Sequence, residues 1–255
     1  MTIGRRLAGL AAAVGAILAA GDALASVPPF ANWAAVVVSG DFHASHTNNP
    51  TETFDNARRD VAAELIRKGF SAANLREFSV RPELYADHPG KADLQPIYET
   101  LKSLADQAKG GCLVYFTSHG APQGVVLDGE ILPPRLMDQM ISDACGRRPT
   151  IVIISACFSG VFVPALADTN RMILTAARPD RSSFGCSESD KYPYFDACML
   201  EVLPQAHDFV ALAPEVQACV ARREQEIGAS PPSEPQVWVG PELRFVLPLM
   251  ALAPG

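Results

Sequence analysis

The sequence predicts an α/β protein with a mostly parallel sheet, and three observations support this class. Short runs of β-branched and aromatic residues alternate with longer segments whose apolar residues recur at helical spacing. The runs within 111–120 and 150–160 are apolar and end in small-residue turns, as buried parallel strands do. No internal repeat or change of composition divides the chain, so we expect residues 26–255 to form a single domain.

The first half of this domain is predicted to alternate strands with helices. Asn49 is expected to cap the first helix, with Pro50 at its first position, and Gly69 ends it. Asp93 opens the second helix, whose apolar stripe extends over three turns. The strands of this half are predicted at 34–40, 75–80 and 111–117.

The second half begins with a small hairpin at 125–132, because the pair Asp128-Gly129 favours a type I′ turn. The polar stretch 176–191 has no apolar periodicity and is predicted to be a long loop. A terminal strand pair or hairpin is expected at 237–248. The other elements are helices at 133–145, 194–203 and 209–227 and strands at 150–155 and 172–175.

The first 25 residues have the pattern of a secretory signal peptide. Arg5 and Arg6 precede an apolar run at 7–20, and Ala23-Leu24-Ala25 forms a cleavage site before Ser26. An N-terminal membrane anchor is the alternative, but the run is short for a spanning helix. We therefore expect a secreted or periplasmic protein that has no membrane association after signal cleavage.

The charge pattern disfavours nucleic acid as a partner. The net charge is −7, acidic and basic residues are interspersed, and there is no run of Lys and Arg. No Gly-rich dinucleotide motif follows a strand, so the α/β pattern does not imply a nucleotide, and we expect no cofactor.

All six cysteines follow the predicted signal peptide, and export makes disulfides possible. If Cys157 is a free nucleophile, at least one of the other five must also be unpaired. Cys186 and Cys198 flank one short loop-rich stretch and are the preferred pair, whereas Cys112 is interpreted as core packing. No C-x-x-C pair is present, which disfavours a zinc or thioredoxin-like site.

Two reactive side chains follow the two most apolar strands. His119 and Gly120 follow one strand, and Cys157 follows the other. If the strands are parallel neighbours, the imidazole and the thiol emerge at the same carboxyl edge, where open α/β sheets keep their sites. A thiol needs a base to become a good nucleophile, and His119 can supply one. The N–H groups of Gly120 and Cys157 could then hold an oxyanion.

Simpler interpretations exist for each residue alone. A cysteine at a strand end is often a small buried hydrophobe, and a lone loop histidine is often solvated. The occurrence of both at the ends of strand-like runs favours a Cys–His dyad. His43 and His46 form an H-x-x-H pattern, which we interpret as a solvated loop because a metal site needs further ligands. We expect no metal.

Three motifs give the chain a resemblance to a known family. They are Tyr115-Phe-Thr-Ser-His-Gly120, Ile153-Ile-Ser-Ala-Cys-Phe-Ser-Gly160 and Leu174-Thr-Ala-Ala-Arg-Pro-Asp-Arg-Ser-Ser-Phe-Gly-Cys186. The chain resembles legumain-type cysteine peptidases of the caspase-like group, in particular bacterial exported members. The resemblance implies a caspase-like three-layer α/β/α sandwich that hydrolyses peptide bonds through a thioester acyl-enzyme. It implies that His119 and Cys157 are the dyad and that Gly120 is the oxyanion residue.

The resemblance also implies positions for a substrate pocket. Legumains favour Asn, sometimes Asp, before the cut and use a charged pocket. Here Ser155 stands where the family has a pocket Glu, and the family's pocket Arg falls at or near Asn56 with Arg58 close by. The family's Ser pair is kept, and Asp190 and Asp196 are nearby candidates for a pocket Asp. The predicted substrate-binding residues are Asn56, Arg58, Ser155, Ser182 and Ser183.

Other functions stay open at this point. The same dyad could support a peptide ligase, or the fold could serve as a catalytically silent binding module. A redox or metal protein would need at least two of the cysteines to pair or to share an ion. The predicted partner of the peptidase is a peptide or protein substrate.

Overall fold

A computed structural model of the protein describes Met1 and residues 28–254. The predicted signal peptide therefore lies outside the described residues, except for Met1. None of the helices in the described part combines the length and apolar character needed to cross a membrane.

Ten strands and seven α-helices make up the described fold. The strands are β1 (Trp33–Ser39), β2 (Leu75–Ser79), β3 (Gly90–Lys91), β4 (Gly111–Thr117), β5 (Gly120–Ala121), β6 (Gly124–Leu127), β7 (Glu130–Leu132), β8 (Thr150–Ser155), β9 (Arg171–Thr175) and β10 (Gln236–Val239). The helices are α1 (Thr53–Arg67), α2 (Leu94–Gln107), α3 (Pro134–Cys145), α4 (Phe162–Leu166), α5 (Tyr194–Val202), α6 (Phe209–Glu226) and α7 (Leu243–Val246).

Seven strands form the central sheet in the order β10-β9-β8-β4-β1-β2-β3. Every pairing in it is parallel except that of β9 with β10. The central strands β1, β4 and β8 are buried along their whole length, which explains why their sequences are continuous apolar runs. The strands β5, β6 and β7 form a separate small antiparallel sheet.

Helices cover both faces of the sheet, each over its own core. On one face, Val37, Tyr115 and Ile153 pack with residues of α1, α5 and α6. On the other face, alternate residues of the same strands, such as Val38 and Phe116, pack with α2, α3 and α4. The alternation follows from the two-residue period of a strand. The predicted three-layer α/β/α sandwich with a mostly parallel sheet is confirmed.

Local predictions succeed where the signal lies within a few residues. Asp128 has φ 53° and Gly129 has φ 84°, and they join β6 to β7 as the type I′ turn requires. The expected cap at Asn49 is wrong, because α1 begins only at Thr53. Asn49 instead accepts a hydrogen bond from the Ala44 N–H, within a loop that precedes the helix.

The expected strand pair at 237–248 is also wrong. Only β10 forms there, against β9, and the chain then turns into the short helix α7. The exposed Phe245 in this segment and Leu249 just after it are spaced by four, a spacing that suits a helix as well as a strand. The sequence did not predict helix α4, which follows β8 and the turn that carries Cys157.

The predicted disulfide between Cys186 and Cys198 is wrong. Cys198 on α5 pairs with Cys219 on α6, and this bond lies in the core where the two helices pack. Cys112 on β4 is also bonded, to Cys145 at the end of α3, and is not simply core packing. Cys157 and Cys186 are unpaired, which agrees with the expectation that a free Cys157 leaves at least one other free thiol.

Candidate active site

The ends of β4 and β8 lie side by side at the carboxyl edge of the sheet. Thr117 and Ser155 are register partners in the parallel pairing, and the Ser118 N–H donates to the Ser155 carbonyl at 3.0 Å. His119 and Cys157 each follow two residues after this pair. The structure therefore brings the imidazole and the thiol to the same edge, from adjacent strands in matching register.

Gly120 packs directly on the backbone of Cys157. A Cβ atom at position 120 would lie 2.1 Å from the Cys157 carbonyl oxygen, well inside van der Waals contact. Any side chain here would push the two strand ends apart. The small size of Gly120 is therefore what permits the close approach of the chain segments that carry His119 and Cys157.

The ring of His119 is held by two contacts. Its Nε2 lies 2.8 Å from the carbonyl oxygen of His43, and the imidazole packs against the Phe54 ring in a T-shaped arrangement with centroids 5.0 Å apart. A carbonyl can only accept, so Nε2 carries the proton and Nδ1 is left as the basic nitrogen. The imidazole is thus oriented as a general base with Nδ1 available.

The loop that supplies this carbonyl is organised by Asp41. Its Oδ1 accepts from the Phe42 N–H at 2.6 Å, the His43 N–H at 3.2 Å and His43 Nδ1 at 2.7 Å. The side chain of His43 therefore supports the loop and is only partly solvated, whereas His46 is exposed. No group of three or more potential metal ligands occurs among the described residues.

Cys157 occupies a sharp turn between β8 and the short helical segment that follows. Phe158 adopts the left-handed conformation, with φ 57° and ψ 10°, which is strained for a bulky residue. Its N–H donates to the Arg181 carbonyl at 2.7 Å. This bond ties the turn to the loop that follows β9, and the strain is of the kind found at functional sites.

The sulfur of Cys157 contacts this same loop. The Ser183 N–H donates to Sγ at 3.2 Å, and the Ser183 hydroxyl lies 3.6 Å from Sγ. In the described part of the chain no hydrogen bond joins the thiol to His119. His119 and Cys157 therefore follow adjacent strands in matching register, while the Cys157 sulfur contacts Ser183.

Two backbone N–H groups are available beside the thiol. The Val126 N–H donates to the His119 carbonyl at 2.9 Å, so Gly120 and Val125 form the non-hydrogen-bonded pair of the β5–β6 ladder. That register leaves the Gly120 N–H outside the ladder. The Cys157 N–H has no backbone acceptor among the described residues. These two donors can hold a negatively charged oxygen above the site.

Arg58 does not line a pocket, which corrects the expectation for this residue. Its side chain is fully buried, and its guanidinium is bonded to Asp55 at 3.0 Å, Glu77 at 2.6 Å and Asp87 at 2.8 Å. The pKa of Glu77 is raised to about 7, chiefly by burial, although Arg58 opposes the shift. Arg58 therefore stabilises the packing of α1 against β2 and the segment after it.

Ser155 likewise does not line a pocket, which corrects the second expectation. It is buried, and its hydroxyl donates to Asp196 Oδ2 at 2.5 Å. Asp196 on α5 also accepts from the hydroxyls of Tyr115 and Thr117. Burial raises the pKa of Asp196 to about 6, against the opposing effect of the hydrogen bonds that it accepts.

The remaining pocket candidates lie in the first turn of α1 and on the loop that follows β9. Asn56 donates to the Lys191 carbonyl at 3.2 Å, Ser182 is exposed, and Ser183 contacts the sulfur. The loop after β1 and the loop after β9 are bonded together, for example through the Ser45 N–H and the Cys186 carbonyl at 2.8 Å. Asn56 and Ser183 thus both contact the region of the loop after β9, Asn56 through Lys191 and Ser183 through the Cys157 sulfur.

The sequence did not reveal three residues that organise the site. They are Asp41, the main-chain carbonyl of His43, and Asp196 as a buried acceptor of hydrogen bonds. His43 acts through its main-chain carbonyl, so its side chain carries no signal of the contact. The only available clue was that its loop leaves the carboxyl end of the first strand. Nothing in the sequence indicates the role of Asp196, because the three hydroxyls that donate to it lie elsewhere in the chain. Asp41 bonds to its near neighbours Phe42 and His43, but no sequence pattern marks this contact.

The fold and the edge geometry define the class as an α/β/α protein with a His and a Cys just after the ends of two adjacent parallel strands. The model of the Peptidase C13 family matches residues 29–212, so the chain belongs to that family, the legumain family. This membership supports a cysteine peptidase.

A solved structure gives the same fold. The crystal structure of caspase-1 from Spodoptera frugiperda is similar with a TM-score of 0.58 and 16% identity, covering 84% of this chain and 88% of that chain. At this identity the likeness shows the caspase-like fold alone. No curated protein matches the chain.

Proposed function

We propose that this protein is a cysteine endopeptidase with Cys157 as nucleophile and His119 as general base and acid. The observation that carries the proposal is the register of β4 and β8, which sets both side chains at one edge with Gly120 packed between the strand ends. Membership of the Peptidase C13 family supports the same reaction class.

The reaction begins when His119 Nδ1 takes the thiol proton and Sγ attacks the carbonyl carbon of the scissile bond. The oxygen of the tetrahedral intermediate accepts from the N–H groups of Gly120 and Cys157. His119 then gives the proton to the leaving amine, and a thioester remains. Water, deprotonated by His119, attacks this thioester and releases the acid product and the free thiol.

Cys186 is not a competing nucleophile. It is buried, and burial raises the pKa of its thiol well above the ordinary value, with the nearby Cys157 adding to the shift. A buried, protonated thiol is inert. Cys186 therefore offers a matched control for the reactive thiol in the same protein.

The test compares Cys157→Ala, His119→Ala and Cys186→Ala on a diverse peptide library. The first two variants should cleave nothing, whereas Cys186→Ala should cleave as the parent does. Cleavage by Cys157→Ala at the parent rate would exclude the assignment. Adding an amine nucleophile to the same assay separates hydrolysis from peptide ligation, because both proceed from one thioester. A parent that binds peptides without cleaving them would indicate the silent binding module.

The cleavage preference is proposed to be a polar residue, Asn or Asp among them, before the cut. Asn56 and Ser183 support this, because they are polar groups at the rim that carries the thiol, and Ser182 is exposed beside them. The resemblance implies a charged pocket, but Ser155 stands in place of the family's Glu and Arg58 is buried in an ion-pair network. The pocket therefore carries less charge than the resemblance implies. Library profiling of Asn56→Ala, compared with the parent, should change the preference before the cut while cleavage persists.

Export of the mature chain 26–255 as one domain is also proposed. The two disulfides support it, because such bonds persist in oxidising compartments. Mass spectrometry of the protein produced in its host should find an N-terminus at Ser26. An N-terminus at Met1 would exclude cleavage at this site.

A further inference from the structure

A buried carboxylate lies directly below the edge that carries the dyad. Asp196 on α5 is fully buried, and three hydroxyls donate to it. Tyr115 donates to Oδ1 at 2.5 Å, while Thr117 and Ser155 donate to Oδ2 at 3.0 and 2.5 Å. A carboxylate taken out of water without a compensating positive charge is costly, so its retention here calls for an explanation.

The partners of Oδ2 come from the last residues of two adjacent strands. Thr117 ends β4 and Ser155 ends β8, and the two are register partners. His119 and Cys157 each follow two residues later. One carboxylate oxygen therefore joins the two strand ends immediately before the chain reaches the imidazole and the thiol.

The carboxylate itself is carried by a firmly held helix. Phe195, Cys198 and Met199 of α5 are buried in the core, and Cys198 is bonded to Cys219 on α6. The position of Asp196 is therefore set by the helical layer rather than by a loop. A group on a rigid element can hold others to a fraction of an ångström.

The protonation states around Asp196 are consistent with three accepted bonds. Burial raises the pKa of Asp196 to about 6, so it is ionised at neutral pH. Burial also raises the pKa of Tyr115 well above its ordinary value, so the phenol keeps its proton and donates. Asp196 also contributes to the raised pKa of the buried Cys186 thiol, which stays protonated.

We propose that Asp196 is a positioning residue that fixes the distance between His119 and Cys157 by bonding the ends of β4 and β8 to α5. The inference rests on the proposed function, since it assigns Asp196 a role in the same reaction. Asp196 touches neither substrate nor the reacting atoms as placed. Its effect is on the geometry in which Sγ and Nδ1 exchange a proton, and such geometry governs turnover more than substrate binding.

The test replaces Asp196 by Asn, which keeps the size of the side chain but cannot accept all three bonds. We expect kcat to fall 10- to 100-fold with KM within about twofold, because an error near 1 Å can cost about 100-fold. Asp208→Asn is the matched control. Asp208 is also a buried carboxylate, but it caps α6 through the N–H groups of Val210 and Ala211, away from the dyad. The kcat of the Asp208→Asn variant should equal that of the parent.

Removing the donors singly tests whether the bonds from Asp196 to the two strand ends carry the effect. Thr117→Val and Ser155→Ala leave the carboxyl group of Asp196 in place, remove one of its bonds to a strand end, and should each lower kcat. Combining either with Asp196→Asn should cause less than a further twofold loss, since the groups act as one unit. Additive losses, or an unchanged kcat in Asp196→Asn, would overturn the proposal even if Cys157 is confirmed as the nucleophile.

A readout that needs no peptidase activity completes the test. The rate at which iodoacetamide alkylates Cys157 is measured against pH in the parent, Ser155→Ala and Asp196→Asn, with Asp208→Asn as control. The proposal is supported if the midpoint of the alkylation rate against pH shifts in Ser155→Ala and Asp196→Asn while the Asp208→Asn profile superimposes on that of the parent. Profiles that all superimpose overturn it. If the parent cleaves no peptide, the proposed function fails, and this comparison still decides the role of Asp196.

Discussion

The buried Asp196 should make the stability of the protein fall as the pH rises from about 4 to about 6. The ordinary pKa of an aspartate, which applies in the unfolded chain, is 3.8, and burial chiefly raises the pKa of Asp196 to about 6 in the fold. The folded state therefore binds the proton more tightly than the unfolded state. Stability that is fully present below the unfolded pKa is lost as the pH rises through the folded pKa.

The magnitude follows from the size of the shift. A shift from 3.8 to about 6 is worth about 3 kcal/mol at about 1.4 kcal/mol per pH unit. This is a large share of the roughly 5–15 kcal/mol that stabilises an ordinary domain. If a group costs this much at neutral pH, its retention is consistent with the positioning role proposed above.

The assay is urea unfolding of the parent and of Asp196→Asn at several pH values between 3.5 and 7.5. Subtracting the variant's unfolding free energy from the parent's cancels the other titrating groups, including Glu77, whose pKa is also raised by burial. The difference should fall by about 3 kcal/mol as the pH rises through this range. A difference that stays constant, or rises with pH, would refute the reasoning.

Three further predictions follow from the site and its surroundings. Arg58→Ala should lower the free energy of unfolding in urea by about 3–5 kcal/mol, because it leaves three carboxylates without their cation. Replacing the exposed Arg59 by Ala should lower it by under about 1 kcal/mol, and equal losses in the two variants would contradict the buried network. Gly120→Ala should abolish peptide cleavage, because its Cβ would overlap the Cys157 carbonyl, and a variant with the parent's kcat would contradict the packing. Thiol titration of the denatured mature protein should give two free thiols, at Cys157 and Cys186, and six after reduction; a count of zero or four before reduction would contradict the pairing.

Much of the architecture could be predicted because its signals are local. Continuous apolar runs identify β4 and β8 as buried strands, and their parallel pairing then places His119 and Cys157 at one edge. The type I′ turn at Asp128-Gly129 is equally local, since only a few residues tolerate φ above zero at both positions.

The incorrect predictions share a dependence on tertiary contacts. Cys198 pairs with Cys219 because α5 packs on α6, and no spacing in the sequence specifies that contact. Arg58 is close in sequence to the predicted pocket, but Glu77 and Asp87 approach it from elsewhere in the chain. The first helix starts late because residues up to Pro50 belong to the loop that orients His119.

The most direct measurement of the dyad is covalent labelling with a peptidyl acyloxymethyl ketone, followed by mass spectrometry of the modified residue. The parent should acquire one adduct, at Cys157, while Cys186 stays unmodified because it is buried. His119→Ala should acquire the same adduct at least 100-fold more slowly, since the thiol has lost its base. An adduct that forms at the parent's rate in His119→Ala would contradict the pairing of the two residues.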